Sequence, residues 1–154
     1  MTAAAAPPAG PSGGQLIAPA DAQAVRRRAD VVRAEALLSV ARGTLTVWDV
    51  LRQASVPAGK PLLRLSLRQL LLAQPGVGLK ISFTRTRALF ALLGVPMDPS
   101  APSATVQWLI DPRANGRRVL ALIDVMGVRT GPPWAGFPFA SQVSADASVN
   151  GGSI

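Results

Sequence analysis

The sequence predicts an all-α protein, a small helical bundle, and three observations support that fold class. No long stretch alternates apolar and polar residues with the two-residue period of a half-buried strand. Apolar residues instead recur at helical spacing, as in Val25, Ala29, Val32, Ala36 and Val40. Several helical segments are followed by a glycine, the residue that most often ends a helix in the left-handed conformation.

The first two helices are predicted from that spacing and from their ends. The first is expected to begin near Asp21 and to end at Gly43. Thr46 is the expected N-cap of a second, shorter helix, because Asp49 follows three residues later and approximates a capping box. Trp48 is expected in the core rather than as a platform for stacked bases.

The middle of the chain is predicted as a loop followed by two helices. Residues 56–61 contain two prolines and a glycine and are predicted as a loop. Ser66 is the expected cap of a third, leucine-rich helix that stops at Pro75, and a fourth helix is expected to end at Gly94.

The last elements follow a Pro- and Ser-rich loop at residues 97–103. A short helical turn is predicted around residues 106–110, and the pair Asn115-Gly116 is a turn or helix-start signal. The last helix is expected over residues 117–126, because four apolar residues lie on one side of it, namely Val119, Leu122, Ile123 and Met126.

The 154 residues are expected to form one domain, residues 25–126, with a disordered tail at each end. Ala, Pro and Gly make up 16 of residues 1–24, and residues 127–154 are rich in Gly, Pro, Ser and Ala. The start of the chain lacks the basic and apolar regions of a signal peptide, and no apolar run reaches the roughly 18 residues of a membrane helix. We therefore expect a cytoplasmic protein without a membrane partner.

The composition argues against most kinds of catalysis. The chain has no His, no Cys and no Tyr, so it lacks the commonest general base, the commonest metal ligand and any thiol nucleophile. It also lacks a nucleophile-elbow pattern and a local pair of acids. We expect no enzyme, no cofactor and no metal site.

The charge points to nucleic acid. The chain carries 16 Lys+Arg against 8 Asp+Glu, and 14 of the cations are Arg, whose guanidinium matches phosphate geometry. Residues 25–126 alone hold 15 cations and six acids, a net charge of +9, so the positive charge lies on the predicted domain and not on a basic tail.

A glycine turn is the first predicted phosphate contact. The glycines of Pro75-Gly76-Val77-Gly78 allow close backbone approach, and the N–H groups at the start of the next helix favour an anion. The alternative is a structural turn between helices. The candidate residues here are Gly76, Val77, Gly78, Lys80, Ser82, Thr84, Arg85 and Arg87.

A second contact is predicted before and at the start of the last helix, from Arg113, Asn115, Gly116, Arg117 and Arg118. A supporting contact is predicted from Arg26, Arg27 and Arg28, for which a solvated helix face is an equal alternative. Phosphate contacts carry no sequence information directly, so we expect little sequence preference.

The chain resembles the actinobacterial integration host factor family over roughly residues 25–126. The resemblance lies in the Arg-rich first helix, the junction Ala41-Arg42-Gly43-Thr44-Leu45-Thr46, the Leu-rich helix before the P-G-V-G turn, and a final basic helix. It implies a domain of the helix-two-turn-helix type that binds double-stranded DNA through phosphates. It also implies a nucleoid-associated protein that assists phage integration, in a bacterium or its phage.

Two departures from the family affect the predicted site. About four more residues than usual separate Gly78 from the next apolar helix pattern, so the turn is either Pro75–Gly78 before a longer helix or shifted to Leu79–Ser82. We favour the first because it uses the glycines. In addition, residues 98–107, which precede the last helix, contain no Lys or Arg, whereas the family is basic there.

The protein is expected to be a monomer. Two other functions stay open at this point. One is RNA binding in the manner of ribosomal helix-two-turn-helix proteins, against which the weakly basic C-terminal tail argues. The other is an interaction or structural protein that docks a partner through Trp134, Phe137 and Phe139 among prolines.

Overall fold

A computed structural model describes residues 18–97, 104–127 and 132–140 of the protein. The α-helices are α1 (Pro19–Ala41), α2 (Val47–Ala54), α3 (Leu67–Ala73), α4 (Leu79–Leu93), α5 (Val106–Leu109) and α6 (Arg117–Met126), and two 310 helices span Pro57–Arg64 and Pro112–Ala114. These described ranges contain no strand, only an isolated antiparallel bridge between Ser66 and Thr105. The predicted all-α class is confirmed.

Helix α1 is long but packs on the core only through its second half. It begins at Pro19, two residues before the expected start and inside the segment assigned to the N-terminal tail, and Gly43 follows its end at φ +73°. Ala36 and Val40 of the apolar stripe are buried, whereas Val25 is 62% exposed. The first half of α1 therefore extends away from the bundle.

Capping boxes fix the starts of α2 and α3. The Thr46 hydroxyl accepts from the Asp49 N–H at 3.2 Å, and the Thr46 N–H donates to the Asp49 carboxylate at 2.9 Å. Ser66 and Gln69 repeat this reciprocal pair at 3.1 and 3.0 Å. Both predicted caps are confirmed, and Trp48 is buried in the core as expected.

The predicted loop at residues 56–61 is wrong, because the chain forms the 310 helix Pro57–Arg64 there. Pro57 stands at the start, where a helix does not need its N–H, and the φ that proline imposes is compatible with helical backbone. Leu62 anchors this helix in the core, and Gly59 lies directly against the backbone of Gln53 and Ala54.

The core is made mainly of leucine and valine side chains from every α-helix. Helix α4 packs against α3 and α6, and α1 packs against α3 and the first 310 helix. Two backbone hydrogen bonds join the start of α3 to the start of α5: Leu67 donates to Ala104 at 2.7 Å, and Val106 donates to Leu65 at 2.8 Å.

Part of the predicted C-terminal tail packs on the domain. Within residues 132–140, Trp134 is 5% exposed, and its indole N–H donates to the Phe139 carbonyl at 2.7 Å. The Phe137 ring meets Trp134 edge to face, with 5.1 Å between centroids. Two of the three aromatic residues proposed as a partner motif thus pack within the chain, and Phe139 is left 77% exposed.

The other parts of the predicted tails, residues 1–17, 128–131 and 141–154, lie outside the described residues, as do residues 98–103 of the Pro- and Ser-rich loop. In the part of the chain that is described, none of the helices combines the length and the apolar character needed to cross a membrane.

Candidate nucleic-acid interface

The glycine turn lies between α3 and α4 at Pro75–Gly78. Gly76 adopts φ +77°, a conformation that side chains disfavour, and Gly78 at φ −87° is the N-cap of α4. Residues 79–82 already belong to the helix, so the structure supports the first of the two turn positions and excludes the shifted one.

The turn presents free backbone to solvent. The first hydrogen bond of α4 runs from the Ser82 N–H to the Gly78 carbonyl at 3.0 Å, so the N–H groups of residues 79–81 precede the helical ladder. Gly78 has no side chain to cap them. A Cβ added at Gly76 or Gly78 would meet no described atom within 4 Å. A ligand can therefore approach this end of α4 closely.

One face of α4 carries the cations that adjoin this turn. Lys80, Thr84 and Arg87 follow at helical spacing and are all exposed, while Ser82 and Leu89 face the core on the opposite side. The helix contains no Asp and no Glu. The outward face of α4 is therefore positively charged and has no carboxylate on the same helix to neutralise it.

Two of the residues predicted for this contact have other roles. Ser82 is 2% exposed, so its hydroxyl does not reach a phosphate, and its carbonyl accepts from the Thr86 hydroxyl at 2.9 Å. Arg85 is half-buried and donates to the Gln74 side chain across the turn at 3.3 Å. Ser82 is therefore not a candidate for phosphate contact. Arg85 stabilises the turn, because it joins α4 to Gln74 at the end of α3.

The second predicted contact is only partly open. Arg113, Asn115 and Arg117 are exposed, and two successive left-handed residues, Asn115 at φ +46° and Gly116 at φ +74°, lead into α6. Gly116 itself is buried, and the Phe137 ring lies so close that a Cβ added to Gly116 would overlap it. This glycine packs against the C-terminal segment and is not open to a ligand on that side.

Arg118 is half-buried against Trp108 and also lies 3.8 Å from the Asp111 carboxylate. It is therefore less open to a ligand than the other two arginines of the second predicted contact. Its guanidinium lies 4.4 Å from the centroid of the Trp108 ring, and its Nη1 donates to the Trp108 carbonyl at 2.7 Å. Phe90 of α4 stacks on the same indole with 5.5 Å between centroids. Trp108, which sequence reasoning did not assign, therefore connects α4, α5 and α6. A separation of ten residues between a tryptophan and an arginine does not by itself predict that the two side chains are in contact.

Replacing Arg118 by Ala is expected to destabilise the domain by about 2 kcal/mol, because a charged hydrogen bond and a cation–π contact are lost together. Arg117→Ala is the matched control: the exposed neighbour should change stability by less than about 0.5 kcal/mol. Urea unfolding of both variants measures the difference. Equal stabilities would show that the Trp108 contact does not hold α6.

The two cationic clusters lie well apart. Phe90, twelve residues after Gly78, contacts Trp108, which in turn contacts Arg118 near the start of α6. At 1.5 Å per helical residue, Phe90 lies about 18 Å along α4 from Gly78, so the start of α6 is joined to a part of α4 distant from the glycine turn. This separation allows each cluster to contact a different phosphate.

Arg26, Arg27 and Arg28 are exposed on the extended half of α1. The nearby carboxylate of Asp30 pairs with Arg33, which also donates to the Pro61 carbonyl at 3.4 Å. No described group of three or more His, Cys, Asp or Glu side chains is placed to hold a metal ion.

Comparison with known proteins adds no relative: no family model, no curated protein and no solved structure matches this chain. The resemblance to the actinobacterial integration host factor family, and the helix-two-turn-helix type that it implies, therefore stay predictions from the sequence.

Proposed function

We propose that the protein binds duplex DNA through its phosphate backbone, with little sequence preference. The role would be that of a nucleoid-associated or integration-accessory protein of the helix-two-turn-helix type. The observation that carries this proposal is the start of α4, where an open glycine turn adjoins an outward face bearing Lys80, Thr84 and Arg87.

The chemistry of this end of α4 suits a phosphate. Free N–H groups and the positive end of the helix dipole attract an anion, and Lys80 lies in the same first turn. Thr84 supplies a hydroxyl donor one turn further along, and Arg87 a guanidinium one turn beyond that. Together they form a track of donors that can follow a phosphate backbone.

The residues of α4 read few bases. The helix has no Asn or Gln to read adenine and no Asp or Glu to read cytosine, and its Lys80 and Arg87, which could read guanine, are assigned to phosphates. The second cluster adds the exposed cations Arg113 and Arg117, just before and at the start of α6. Backbone contacts at both clusters would fix the protein on the duplex without reading its bases.

The dependence of affinity on salt tests this proposal. The four exposed cations Lys80, Arg87, Arg113 and Arg117 predict that log affinity falls with log salt at a slope of about −3.6, and participation of Arg26–Arg28 would steepen it to about −6.3. Fluorescence anisotropy with two unrelated duplexes of different G·C content should give equal affinities and this slope.

Three results would contradict the proposal. An affinity that does not change with salt would contradict binding through phosphates. A large preference for one of the two duplexes would contradict binding without sequence preference. The third is a duplex RNA competitor that displaces the protein more effectively than duplex DNA, which would favour the RNA-binding alternative.

A further inference from the structure

Three large apolar side chains near the glycine turn are exposed, Leu79, Ile81 and Phe83, and the two most exposed share one face of α4. Leu79, the first residue of α4, is 64% exposed, and Phe83, one turn later, is 58% exposed. Side chains four residues apart on a helix are neighbours, so the two form one continuous apolar ridge. The same row continues to Arg87, and Lys80 and Thr84 form the adjacent row.

The packing of the domain does not account for this ridge. Leu89 supplies the buried contact of α4 with the core, and Phe90 is used in the stack on Trp108. Leu79 and Phe83 lie on the same side of α4 as Phe90 but closer to the glycine turn, where they stay exposed instead of joining the stack on Trp108. Exposed apolar side chains occur elsewhere on this protein, as at Val25 and Leu92, but Leu79 and Phe83 are adjacent and lie beside the open glycine turn and its cations.

The surrounding charge indicates what kind of occupant suits the ridge. Lys80 and Arg87 border the ridge, and α4 contains no acidic residue, so the occupant must be anionic where it meets the cations. An apolar surface suits the side that meets Leu79 and Phe83. A DNA duplex offers both when a base step opens, because phosphates flank the bases and unstacking exposes the apolar faces of those bases.

We propose that Leu79 and Phe83 form a wedge that inserts between base pairs of DNA bound at the glycine turn and kinks the duplex. This inference rests on the proposed function and deepens it. Lys80 and Thr84 contact phosphates beside the kink while the wedge enters the minor groove, as inserted apolar side chains do in proteins that bend DNA by 20–90°.

The wedge predicts a loss of bending that exceeds the loss of binding. The bend of a short duplex labelled at both ends is measured by energy transfer at saturating protein, and affinity is measured separately by anisotropy. The protein should bend the duplex by roughly 20–90°. Phe83→Ala and Leu79→Ala should each reduce that bend by half or more while lowering affinity by less than about tenfold, because the phosphate contacts remain.

Leu92→Ala is the matched control. Leu92 is 57% exposed on the same helix but lies at its far end, outside the ridge, so both bend and affinity should be unchanged. Thermal unfolding of all variants checks that the fold is intact, which is expected because the removed side chains are exposed.

Failure of the wedge and failure of the proposed function give different results. If the protein binds duplexes but Phe83→Ala bends them as much as the unaltered chain does, the wedge is wrong and phosphate binding stands. If the unaltered chain does not bind duplex DNA, both proposals fall. If sedimentation shows self-association that Phe83→Ala abolishes, the ridge is an interface between two copies and the wedge is overturned.

Discussion

Reversing two charges on α4, Lys80→Glu together with Arg87→Glu, is expected to lower the affinity for duplex DNA at least 100-fold. That factor corresponds to about 2.7 kcal/mol at 25 °C. The variant loses two cations at the phosphate track and places two carboxylates there, which repel the backbone. The salt slope should also become less negative by about 1.8, since each phosphate contact contributes about 0.9. Anisotropy titrations at two salt concentrations measure both quantities.

The control for this variant is Lys60→Glu with Arg64→Glu. Both residues are exposed on the first 310 helix, outside the candidate clusters, and the change in net charge is identical. Only long-range attraction should weaken, and salt screens that effect over about 10 Å. A loss equal to that of the α4 variant would mean that net charge alone attracts DNA and that α4 is not the contact.

Gly59→Ala is expected to destabilise the protein strongly. A Cβ at this position would overlap the Gln53 carbonyl oxygen and lie 2.8 Å from the Ala54 Cα. These are backbone atoms of α2, so relief requires the 310 helix and α2 to separate. We expect a loss of at least about 3 kcal/mol, above the usual range for overpacking, and a melting temperature roughly 12 °C lower or more.

Gly78→Ala provides the comparison for Gly59→Ala. Gly78 has φ −87°, and its added Cβ meets no described atom within 4 Å, so neither strain nor overlap arises. Because alanine is a poorer N-cap than glycine, the melting temperature should fall by about 4–8 °C, an effect of about 1 kcal/mol that is well below that of Gly59→Ala. A Gly59→Ala variant as stable as Gly78→Ala would show that the 310 helix is loosely held against α2.

The fold was predictable wherever a local signal and burial agreed. Thr46 and Ser66 are caps whose partners lie three residues away, and Gly94 ends α4 in the left-handed conformation, so adjacent residues determine these helix ends. The 310 helix was not predicted because its prolines read as loop signals. Its formation depends on tertiary burial of Leu62, which no local pattern shows.

The candidate site was predictable in its location but not in its individual side chains. The glycine turn and the exposed positions of Lys80 and Arg87 agree with the sequence prediction. Ser82 and Arg118 were predicted to be exposed and are not. The orientation of Ser82 depends on which side of α4 faces the core, and that of Arg118 depends on Trp108, ten residues earlier in the chain. Trp134 could not be placed from sequence, because a proline-rich context resembles a disordered tail even where one aromatic side chain anchors it.

Helix α1 is one continuous helix, but its two halves differ in local stability. From Pro19 to Val32 no residue is buried, and this stretch is close to the length at which an isolated helix is only marginally stable in water. Beyond Arg33, tertiary contacts hold the same helix in place. Amide protons before Arg33 should therefore exchange with solvent orders of magnitude faster than those near Val40. Arg26, Arg27 and Arg28 thus lie on a segment whose helical and non-helical states differ little in free energy. A bound polyanion would shift this equilibrium toward the helix.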